Sequence, residues 1–378
     1  MKILFLPRYS RQGASSRYRL WQYLPLFERE GHAIEVRPLL DSSYLSHLYQ
    51  RGRRSVRSLA FGYSRRLFST IDIGRFDAVI CEQEALPFLP IAAEKLFRRK
   101  HVRFFLDFDD AAHIKYTGHP RLQSKISSLM SDADGVVVGN AYLRSYASQF
   151  TPRVSVIPTV LDISRYPLHP NSASRPNDEV RIGWIGTPST SAFLQGLSHI
   201  FHTLQRRFRN LHFRFVGAAP GMFTHGLNAD IVEWSEKTEV ELLAGCDIGI
   251  MPLPDTDFTR GKCGLKLIQY MACWLPTVAS PVGANCEIIE DGKTGFLAAN
   301  DQGWISKLSA LIVNSALRRE FGGAGRRRVE QRYTLESGFT QWKKMLNGAT
   351  EPSSEVAMGF TQSPDFVAFG HESRGGTP

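Results

Sequence analysis

The chain has 378 residues, of which 43% are hydrophobic and 22% are charged. This balance excludes a wholly disordered, collagenous or coiled-coil protein, and the length predicts two domains. The net charge of +10 lies entirely in the first half, because residues 1–165 hold 25 basic and 15 acidic side chains whereas residues 166–378 hold 21 of each. A basic excess confined to one half indicates a polyanionic neighbour, either nucleic acid or an anionic membrane surface.

The first half of the chain has the pattern of a parallel α/β domain. An apolar run, Lys2 to Pro7, is followed by a polar loop with Gly13, by helical spacing from Arg17 to Glu30, and by a strand that begins at Ala33. Further strands are predicted in the same half, at 77–81, 103–108, 135–138 and 154–157. The sequence therefore predicts a Rossmann-like domain over residues 1–165.

The pattern restarts after residues 166–179, which are rich in Pro, Ser and Asn and are interpreted as a linker. Val180 to Ile185 has the pattern of a strand, and Gly186 to Thr190 that of a turn before a helix with one apolar face. The restart predicts a second Rossmann-like domain over residues 180–330. Neither strand–helix loop carries the G-x-G-x-x-G pattern, so a nicotinamide or flavin enzyme is not indicated. The last segment, 349–378, has three Pro, four Gly and little periodicity, and we expect it to be disordered.

The five cysteines are scattered and form no C-x-x-C pair, so neither a zinc site nor a disulfide framework is indicated. A reducing cytoplasm suits them best. The first eight residues hold too few apolar side chains for a signal peptide, and the longest uncharged stretch, 267–286, is interrupted by two prolines. We therefore expect a cytoplasmic protein.

A loop and a helix start in the second half carry a cluster of cations. Gly264 precedes a predicted helix from Leu265 to Cys273, Lys262 and Lys266 lie on either side of this glycine, and Arg260 is just upstream. Cations oppose the dipole at a helix N-terminus, so their presence makes sense if an anion such as a diphosphate binds there. A solvated basic loop is the alternative.

The segment GLKLIQYMACWLPTVAS, from Gly264 to Ser280, resembles the donor-binding motif of family 4 glycosyltransferases, which are retaining enzymes of the GT-B architecture. Pro281 to Gly283, Glu287 and the turn from Asp291 to Phe296 extend the likeness, which reaches from the start of the chain to about residue 347. The resemblance implies an α/β fold of two Rossmann-like domains whose parallel sheets face each other across a cleft. It also implies a last helix, 331–348, that crosses back to the first domain.

The same resemblance implies the ligands. A nucleotide-sugar donor would bind the second domain, a glycan or lipid-linked acceptor would bind the first, and neither a metal nor another cofactor would be required. A non-catalytic glycan-binding or partner-binding protein on the same fold is the main alternative, because the chain departs from the family pattern. A nucleotide-sugar epimerase or a phosphorylase is a further alternative, from which the Met271-Ala272 motif points away.

The departures concern charged residues. Two family Glu residues separated by seven positions correspond to Gly261 and Gln269, and the Arg and Lys that usually follow the first strand of the second domain are missing from Thr187 to Phe193. We infer that Lys262 and Lys266 replace those cations from the facing loop. An amide at Gln269 can still hydrogen-bond ribose hydroxyls, and we expect Asp255 or Asp257 to replace the missing sugar-contacting Glu.

Together these arguments predict three groups of site residues. The predicted donor contacts are Gly13, Thr187, Asp257, Arg260, Lys262, Gly264, Leu265, Lys266 and Gln269. The predicted acceptor contacts are Arg17, Arg19, Glu84 and Asp109, and the predicted catalytic residues are Asp110 and His113. Three aspartates at 107–110 could instead bind a metal or cap the next helix, and His113 could be an ordinary surface or capping histidine.

The basic excess also predicts a partner. Arg51, Arg53, Arg54, Arg57, Arg65 and Arg66 are interleaved with apolar and aromatic residues such as Leu59, Phe61 and Leu67. An arginine-rich helix of this kind is typical of a surface that meets anionic lipid headgroups, although a solvated helix face is the alternative. No nucleic-acid recognition motif is present, so we expect docking at the inner face of a membrane and no nucleic-acid partner.

Overall fold

The structure is a computed structural model that describes residues 1–51, 53–170, 178–221 and 224–348. It contains two six-stranded parallel sheets with flanking helices, which confirms the predicted pair of Rossmann-like sheets. The segment predicted as a disordered tail, 349–378, and residues 171–177 of the predicted linker lie outside the described residues. Within the described ranges, none of the helices combines the length and the apolar character needed to cross a bilayer.

The strands of the first sheet are β1 (Lys2–Leu6), β2 (Ala33–Val36), β3 (Ala78–Glu82), β4 (Arg103–Phe108), β5 (Gly135–Val138) and β6 (Val154–Val156). Their order is β2-β1-β3-β4-β5-β6. The surrounding helices are α1 (Ala14–Arg19), α2 (Leu24–Arg29), α3 (Ser42–Arg51), α4 (Val56–Phe68), α5 (Ile91–Glu94), α6 (Lys125–Asp132) and α7 (Ala141–Ala147). The central strands β3, β4 and β5 are almost fully buried, as expected of a parallel sheet covered on both faces.

The strands of the second sheet are β7 (Val180–Ile185), β8 (Leu211–Val216), β9 (Ala229–Val232), β10 (Ile248–Met251), β11 (Thr277–Ala279) and β12 (Gly295–Leu297), in the order β12-β11-β10-β7-β8-β9. The helices are α8 (Ser198–Arg207), α9 (Glu239–Ala244), α10 (Asp257–Arg260), α11 (Leu265–Ala272), α12 (Ala284–Ile288), α13 (Asp301–Val313), α14 (Ser315–Arg332) and α15 (Leu335–Leu346). Short 3-10 turns occur at Trp21–Tyr23, Ile73–Arg75, Lys95–Phe97, Ala112–Tyr116, Ile163–Arg165 and Ser191–Leu197.

Each sheet has one point at which the order of its strands reverses. In the first sheet this point lies between β1 and β3, and in the second it lies between β7 and β10. Loops leaving the carboxyl ends of such neighbouring strands diverge and form the crevice in which open α/β sheets bind ligands. The residues that follow β1, β3, β7 and β10 are therefore placed to form a site.

The last helix, α15, packs on the first domain. Phe339, Trp342 and Met345 are buried in one apolar cluster with residues of β1 and α2. Within this cluster, the ring centroids of Phe27 and Phe339 are 4.9 Å apart and meet edge to face. The chain thus returns to its first domain after completing the second sheet.

Two segments predicted as continuous helices are interrupted. The predicted helix 17–30 consists of α1, the 3-10 turn Trp21–Tyr23 and α2, because Pro25 has no N–H to bond the preceding turn and stands in the first turn of α2 instead. The predicted Arg51–Arg66 helix is divided at Ser55, whose hydroxyl accepts the N–H of Ser58 and caps α4. The basic residues predicted there consequently lie at the end of α3, in the short segment before α4 and on α4 itself.

Candidate active site

The loop that follows β10 ends in a glycine whose left-handed backbone conformation is strained for a residue with a side chain. Gly264 has a φ of 66°, and a Cβ on it would lie 2.2 Å from Cδ1 of Ile288. This left-handed residue is the N-cap of α11, and it turns the chain so that Leu265 begins the helix. The unpaired N–H groups of the first turn of α11 therefore lie at the switch point of the second sheet.

Lys262 and Lys266 flank this turn, and each lies over an aromatic ring. The Lys266 Nζ atom is 4.1 Å from the ring centroid of Trp184 at the end of β7, and the Lys262 Nζ atom is 4.4 Å from that of Phe258. Burial and the neighbouring Lys262 lower the pKa of Lys266 to about 7. Among the described residues, neither ammonium forms an ion pair with a carboxylate. Two cations near a helix N-terminus that form no close ion pair make a site suited to an anion.

The facing loop after β7 is held by its own hydroxyls. The N–H of Thr187 donates to Oγ1 of Thr190 at 3.0 Å, and the Thr187 and Ser189 hydroxyls are 3.0 Å apart. A Cβ on Gly186 would lie 2.4 Å from the Trp184 ring. The glycine thus allows the indole that lies under Lys266 to pack against this loop.

Arg260 and Asp257, both predicted to contact the donor, are engaged with each other and with a neighbour. The Arg260 guanidinium donates to both oxygens of Asp255 at 2.7 and 3.0 Å and lies 3.5 Å from Asp257. All three side chains are largely exposed. Arg260 therefore stabilises the segment around α10 through these two carboxylates, whereas Lys262 and Lys266 form no such pair among the described residues.

In the first domain, polar side chains gather at the carboxyl ends of β3 and β4. Asp109 accepts a hydrogen bond from Nε2 of Gln83 at 3.2 Å, and Gln83 itself has a φ of 59°, which is rare for a residue with a side chain. Burial raises the pKa of the adjacent Asp110, and the nearby Lys262 ammonium opposes this rise. Asp110 of the first domain therefore lies close enough to Lys262 of the second for their charges to interact.

His113 lies in the 3-10 turn after Asp110. Its ring stacks on Tyr146 with centroids 3.8 Å apart, and burial lowers its pKa. The imidazole is thus neutral near neutral pH and available as a hydrogen-bond partner. Asp257 of the second domain is close enough to influence this pKa, so His113 also lies where the two domains meet.

Three predicted site residues are instead buried in charge pairs. Arg19 donates to both oxygens of Asp107, at 2.9 and 2.5 Å, and to the carbonyl of Ile157. Glu84 is paired with Lys125 at 2.8 Å and with Lys115. These carboxylates and guanidinium have their charges satisfied inside the first domain, so we reassign Arg19 and Glu84 from acceptor binding to structural roles. The pairing of Asp107 also separates it from the metal cluster considered for the three aspartates.

Arg17, the third of these residues, joins the domains. Its Nη2 atom lies 3.4 Å from Oε2 of Glu239 on α9, and its guanidinium lies over the ring of Trp234. Glu239 also accepts from the Tyr18 hydroxyl at 2.9 Å, and Tyr18 in turn accepts from Gln269 at 3.2 Å. Gln269 is 3% exposed, so its amide is used between the domains rather than presented to a ribose.

The loop from Arg260 to Cys263 packs directly on the first domain. The Asn140 amide donates to the carbonyls of Arg260 and Lys262 at 3.2 and 3.0 Å, and Cys263 Sγ donates to the Asp109 carbonyl at 3.1 Å. Gly13 lies in the β1–α1 loop of the first domain, packed on Tyr9. The structure therefore brings Asp109 and Asp110 together with Lys262 and Lys266, and places the remaining predictions around or behind them.

Sequence reasoning missed several residues at this junction. Glu82, Gln83 and Ser15 contact Asp109 or its neighbours, and Trp184 supports Lys266. Glu82 and Gln83 follow the apolar run of β3 in the same way that Asp109 follows β4, so their position at a strand end was the available signal. No sequence signal indicated Trp184, because an aromatic residue in an apolar strand is typical of a hydrophobic core.

Comparisons with known proteins agree with this architecture. Residues 179–314 match the family model described as Glycosyl transferases group 1. The poly(ribitol-phosphate) alpha-N-acetylglucosaminyltransferase of Staphylococcus aureus (strain COL) is 31% identical over 87 residues, 22% of this chain and 18% of that protein. The N-acetyl-alpha-D-glucosaminyl L-malate synthase of Bacillus anthracis is 29% identical over 105 residues, 27% of this chain and 26% of that protein. The matches thus span about a fifth to a quarter of these two proteins.

A solved structure shows the fold over nearly the whole length. The crystal structure of Anabaena HepE in complex with UDP-glucose superimposes with a TM-score of 0.66 over 92% of this chain and 100% of that chain, at 17% sequence identity. Because the sequence identity is low, this likeness shows the fold of both domains and nothing about their ligands. The chain therefore has the GT-B fold of known glycosyltransferases, and within its second domain residues 179–314 match the glycosyl transferases group 1 model.

Proposed function

We propose that this chain is a glycosyltransferase that moves a sugar from a nucleotide-diphosphate donor to a hydroxyl of a glycan or lipid-linked acceptor, with retention at the anomeric carbon. The observation that carries the proposal is the pair Lys262 and Lys266 at the start of α11. Neither ammonium lies within ion-pair distance of a carboxylate among the described residues, and the Asp110 carboxyl of the other domain interacts with Lys262 only at longer range. A diphosphate would supply the missing negative charge.

The geometry suits the charge that develops during transfer. When the bond between the anomeric carbon and the phosphate oxygen breaks, negative charge grows on the leaving diphosphate. Lys262, Lys266 and the first N–H groups of α11 would stabilise that charge more strongly than they stabilise the ground state. Asp109 and Asp110 would meet the acceptor hydroxyl from the opposite side, and the interdomain contacts would limit the entry of water.

The comparisons support a choice of donor for testing. HepE was crystallised with UDP-glucose, and both curated relatives are named for an α-N-acetylglucosaminyl group. We therefore propose a UDP-linked sugar as the donor, with UDP-N-acetylglucosamine as the first compound to test. Retention is proposed from the resemblance to family 4 enzymes, and the anomeric configuration of the product, read by proton NMR, tests it.

The first experiment is calorimetric titration of UDP into the full chain and into Lys262→Ala and Lys266→Ala variants. Charge-assisted contacts to phosphate contribute about 1.5–3 kcal/mol, so each variant is expected to bind UDP at least about tenfold more weakly, with little change for uridine. Lys293→Ala is the matched control, because Lys293 is in the same domain and 76% exposed. Equal UDP affinity in the Lys266 and Lys293 variants would contradict the proposed donor site.

Transfer itself separates the enzyme from its alternative. A glycosyltransferase releases UDP from the donor, by transfer to the acceptor or by slow hydrolysis, whereas a glycan-binding protein on the same fold does not. UDP release that is lost in Lys266→Ala would support the enzyme. A protein that binds UDP tightly but liberates no UDP from the donor, even with varied glycan acceptors present, would favour the binding protein.

We also propose that the first domain docks on an anionic membrane surface. Large apolar side chains stand out from α4 and the loop after it: Val56 is 77% exposed, Phe61 62%, Phe68 70% and Ile71 78%. Arg53, Arg54 and Arg57 are exposed beside them. Apolar side chains combined with arginines suit an interface of acyl chains and acidic headgroups. Arg66, predicted to belong to this surface, is instead 2% exposed and donates to the Pro7 carbonyl.

A further inference from the structure

A buried carboxyl group lies beneath the cleft and has no part in the function proposed above. Glu82 ends β3 and is 1% exposed. Its Oε2 atom accepts the hydroxyl of Ser16 at 2.5 Å and the N–H of Arg8 at 2.8 Å. Its other oxygen, Oε1, lies 2.8 Å from the hydroxyl oxygen of Ser15.

The same Ser15 hydroxyl lies 2.5 Å from Oδ2 of Asp109, which is half-buried at the edge of the cleft. A serine hydroxyl has one proton and can donate to one carboxylate only. The second short contact therefore needs a proton on Glu82 or on Asp109. Since Glu82 Oε2 already accepts two hydrogen bonds, the free position on this side is Oε1, from which a proton would point at Ser15.

The charged groups around Glu82 compete. Burial and the Asp109 carboxylate raise the pKa of Glu82 to about 7, whereas the hydrogen bonds from Ser16, Arg8 and Ser15 oppose the rise. The guanidinium groups of Arg8 and Arg66 also face this carboxyl, from the end of β1 and from α4. Two carboxylates this close, bridged by one hydroxyl, do not both ionise readily.

We propose that Glu82 and Asp109 share one proton through Ser15, and that Glu82 thereby acts as a positioning residue that orients the carboxyl group of Asp109 toward a hydroxyl of the acceptor. The shared proton stands on the geometry alone. The contact between Asp109 and an acceptor hydroxyl rests on the proposed function. In this arrangement the Ser15 hydroxyl donates to Asp109, so the orientation of that carboxylate is fixed from below while its other oxygen, Oδ1, is held by Gln83.

Infrared difference spectroscopy of the full chain during a pH titration tests the shared proton without any substrate. The wild-type protein is expected to show the C=O band of a protonated carboxylic acid that titrates near neutral pH. This band is expected to disappear in Glu82→Gln and to titrate at lower pH in Asp109→Asn, because the like charge is removed. Asp110→Asn is the matched control, since Asp110 neighbours Asp109 without contacting Ser15, and it should keep the band.

A band that persists in Glu82→Gln, or a wild-type protein in which no carboxyl titrates above about pH 5.5, would overturn the shared proton. The pH profile of kcat/KM for the acceptor tests the positioning role. It is measured at saturating donor, so that the protonation of Lys266 in the empty donor site does not contribute to the alkaline limb. Glu82→Gln, which imitates the protonated acid, should lose the alkaline decline of the wild-type profile, whereas Ser15→Ala should raise KM for the acceptor. An unchanged alkaline limb in Glu82→Gln, together with the expected infrared result, would overturn the positioning role and keep the shared proton. Absence of transfer in the wild-type protein and in every variant would instead count against the proposed function.

Discussion

Lys266 lies over Trp184 beside another lysine, so its protonation depends on what binds at the start of α11. Because its pKa is lowered to about 7, a substantial fraction of the empty protein carries a neutral amine at neutral pH. A bound diphosphate would raise this pKa, and binding would therefore take up a proton. Calorimetry of UDP binding in two buffers of different ionisation enthalpy should show proton uptake at pH 7.5, with affinity falling as the pH rises above 7. Uptake that is unchanged in Lys266→Ala would assign the proton to another group.

Gly264 tests how far the cap of α11 tolerates a side chain. Its positive φ and the closeness of Ile288 predict that Gly264→Ala destabilises the protein by about 1–3 kcal/mol in urea unfolding. Gly323→Ala is the control, because this glycine lies inside α14 and a methyl group on it would meet no atom nearer than 3.6 Å, so alanine should be neutral or stabilising there. Equal effects of the two substitutions would argue against the left-handed cap.

Side chains at the junction show what a sequence can predict about a site. The position of Lys262 and Lys266 around a helix start could be predicted because the signal is local: a glycine, a helix start and two cations lie within five positions. Arg19 and Glu84 could not be interpreted in this way, since their charges are satisfied by Asp107 and Lys125, which are distant in sequence. The pairing of a charged residue with a remote partner leaves no trace in its local pattern.

At the scale of elements, α15 joins the end of the second domain to the first. Trp342 is 1% exposed, so Trp342→Ala should destabilise the protein by about 3–5 kcal/mol. Thr340→Ala, on the exposed side of the same helix, is the control and should cost little.

A deletion of residues 349–378 is expected to leave the melting temperature unchanged, as their composition predicts no apolar core. A deletion as damaging as Trp342→Ala would contradict that expectation.

The α4 surface can be tested with liposomes. Sedimentation with anionic vesicles should capture the protein, and zwitterionic vesicles should not. A Phe68→Ser/Ile71→Ser variant should lose binding at all salt concentrations, whereas Arg53→Ser/Arg54→Ser/Arg57→Ser should lose the salt-sensitive part. Val313→Ser removes an apolar side chain that is 69% exposed on the second domain, and it should bind like the wild type. Equal binding of all variants would show that these residues form an ordinary solvated face and not a membrane-binding surface.

Strands were easier to predict than helices, and the reason is physical. The strands of a buried parallel sheet are short, apolar and bounded by polar loops, and the first of them begin and end within a residue or two of the predicted positions. Helix ends depend on single residues, such as Pro25 and Ser55, whose effect competes with the apolar periodicity around them. Periodicity alone therefore joins helical segments that these residues separate.

For the whole molecule, the contacts between the domains are more extensive than either domain pattern suggests. Glu239 receives Arg17, Tyr18 and Trp234, and Asn140 binds the loop that carries Lys262. Glu239→Gln should weaken this junction, because a neutral amide replaces the partner of a buried guanidinium. We expect a lower melting temperature and a larger radius of gyration in solution scattering. Glu241→Gln, a neighbouring position on the same helix, is the control.

Gly261 gives one of the family departures a spatial meaning. It stands at the position of the first Glu in the family 4 glycosyltransferases that the chain resembles, and a Cβ here would lie 2.6 Å from Cβ of Ala111 in the other domain. A glutamate side chain would not fit at this position, because Ala111 of the first domain already occupies the space. The absence of the acid is therefore compatible with close packing of the two domains. Restoring the acid by Gly261→Glu should act as a wedge, separating the walls and lowering transfer, while a companion Ala111→Gly change should relieve part of the effect. In this protein the position that lacks a family residue marks how closely the two halves fit together.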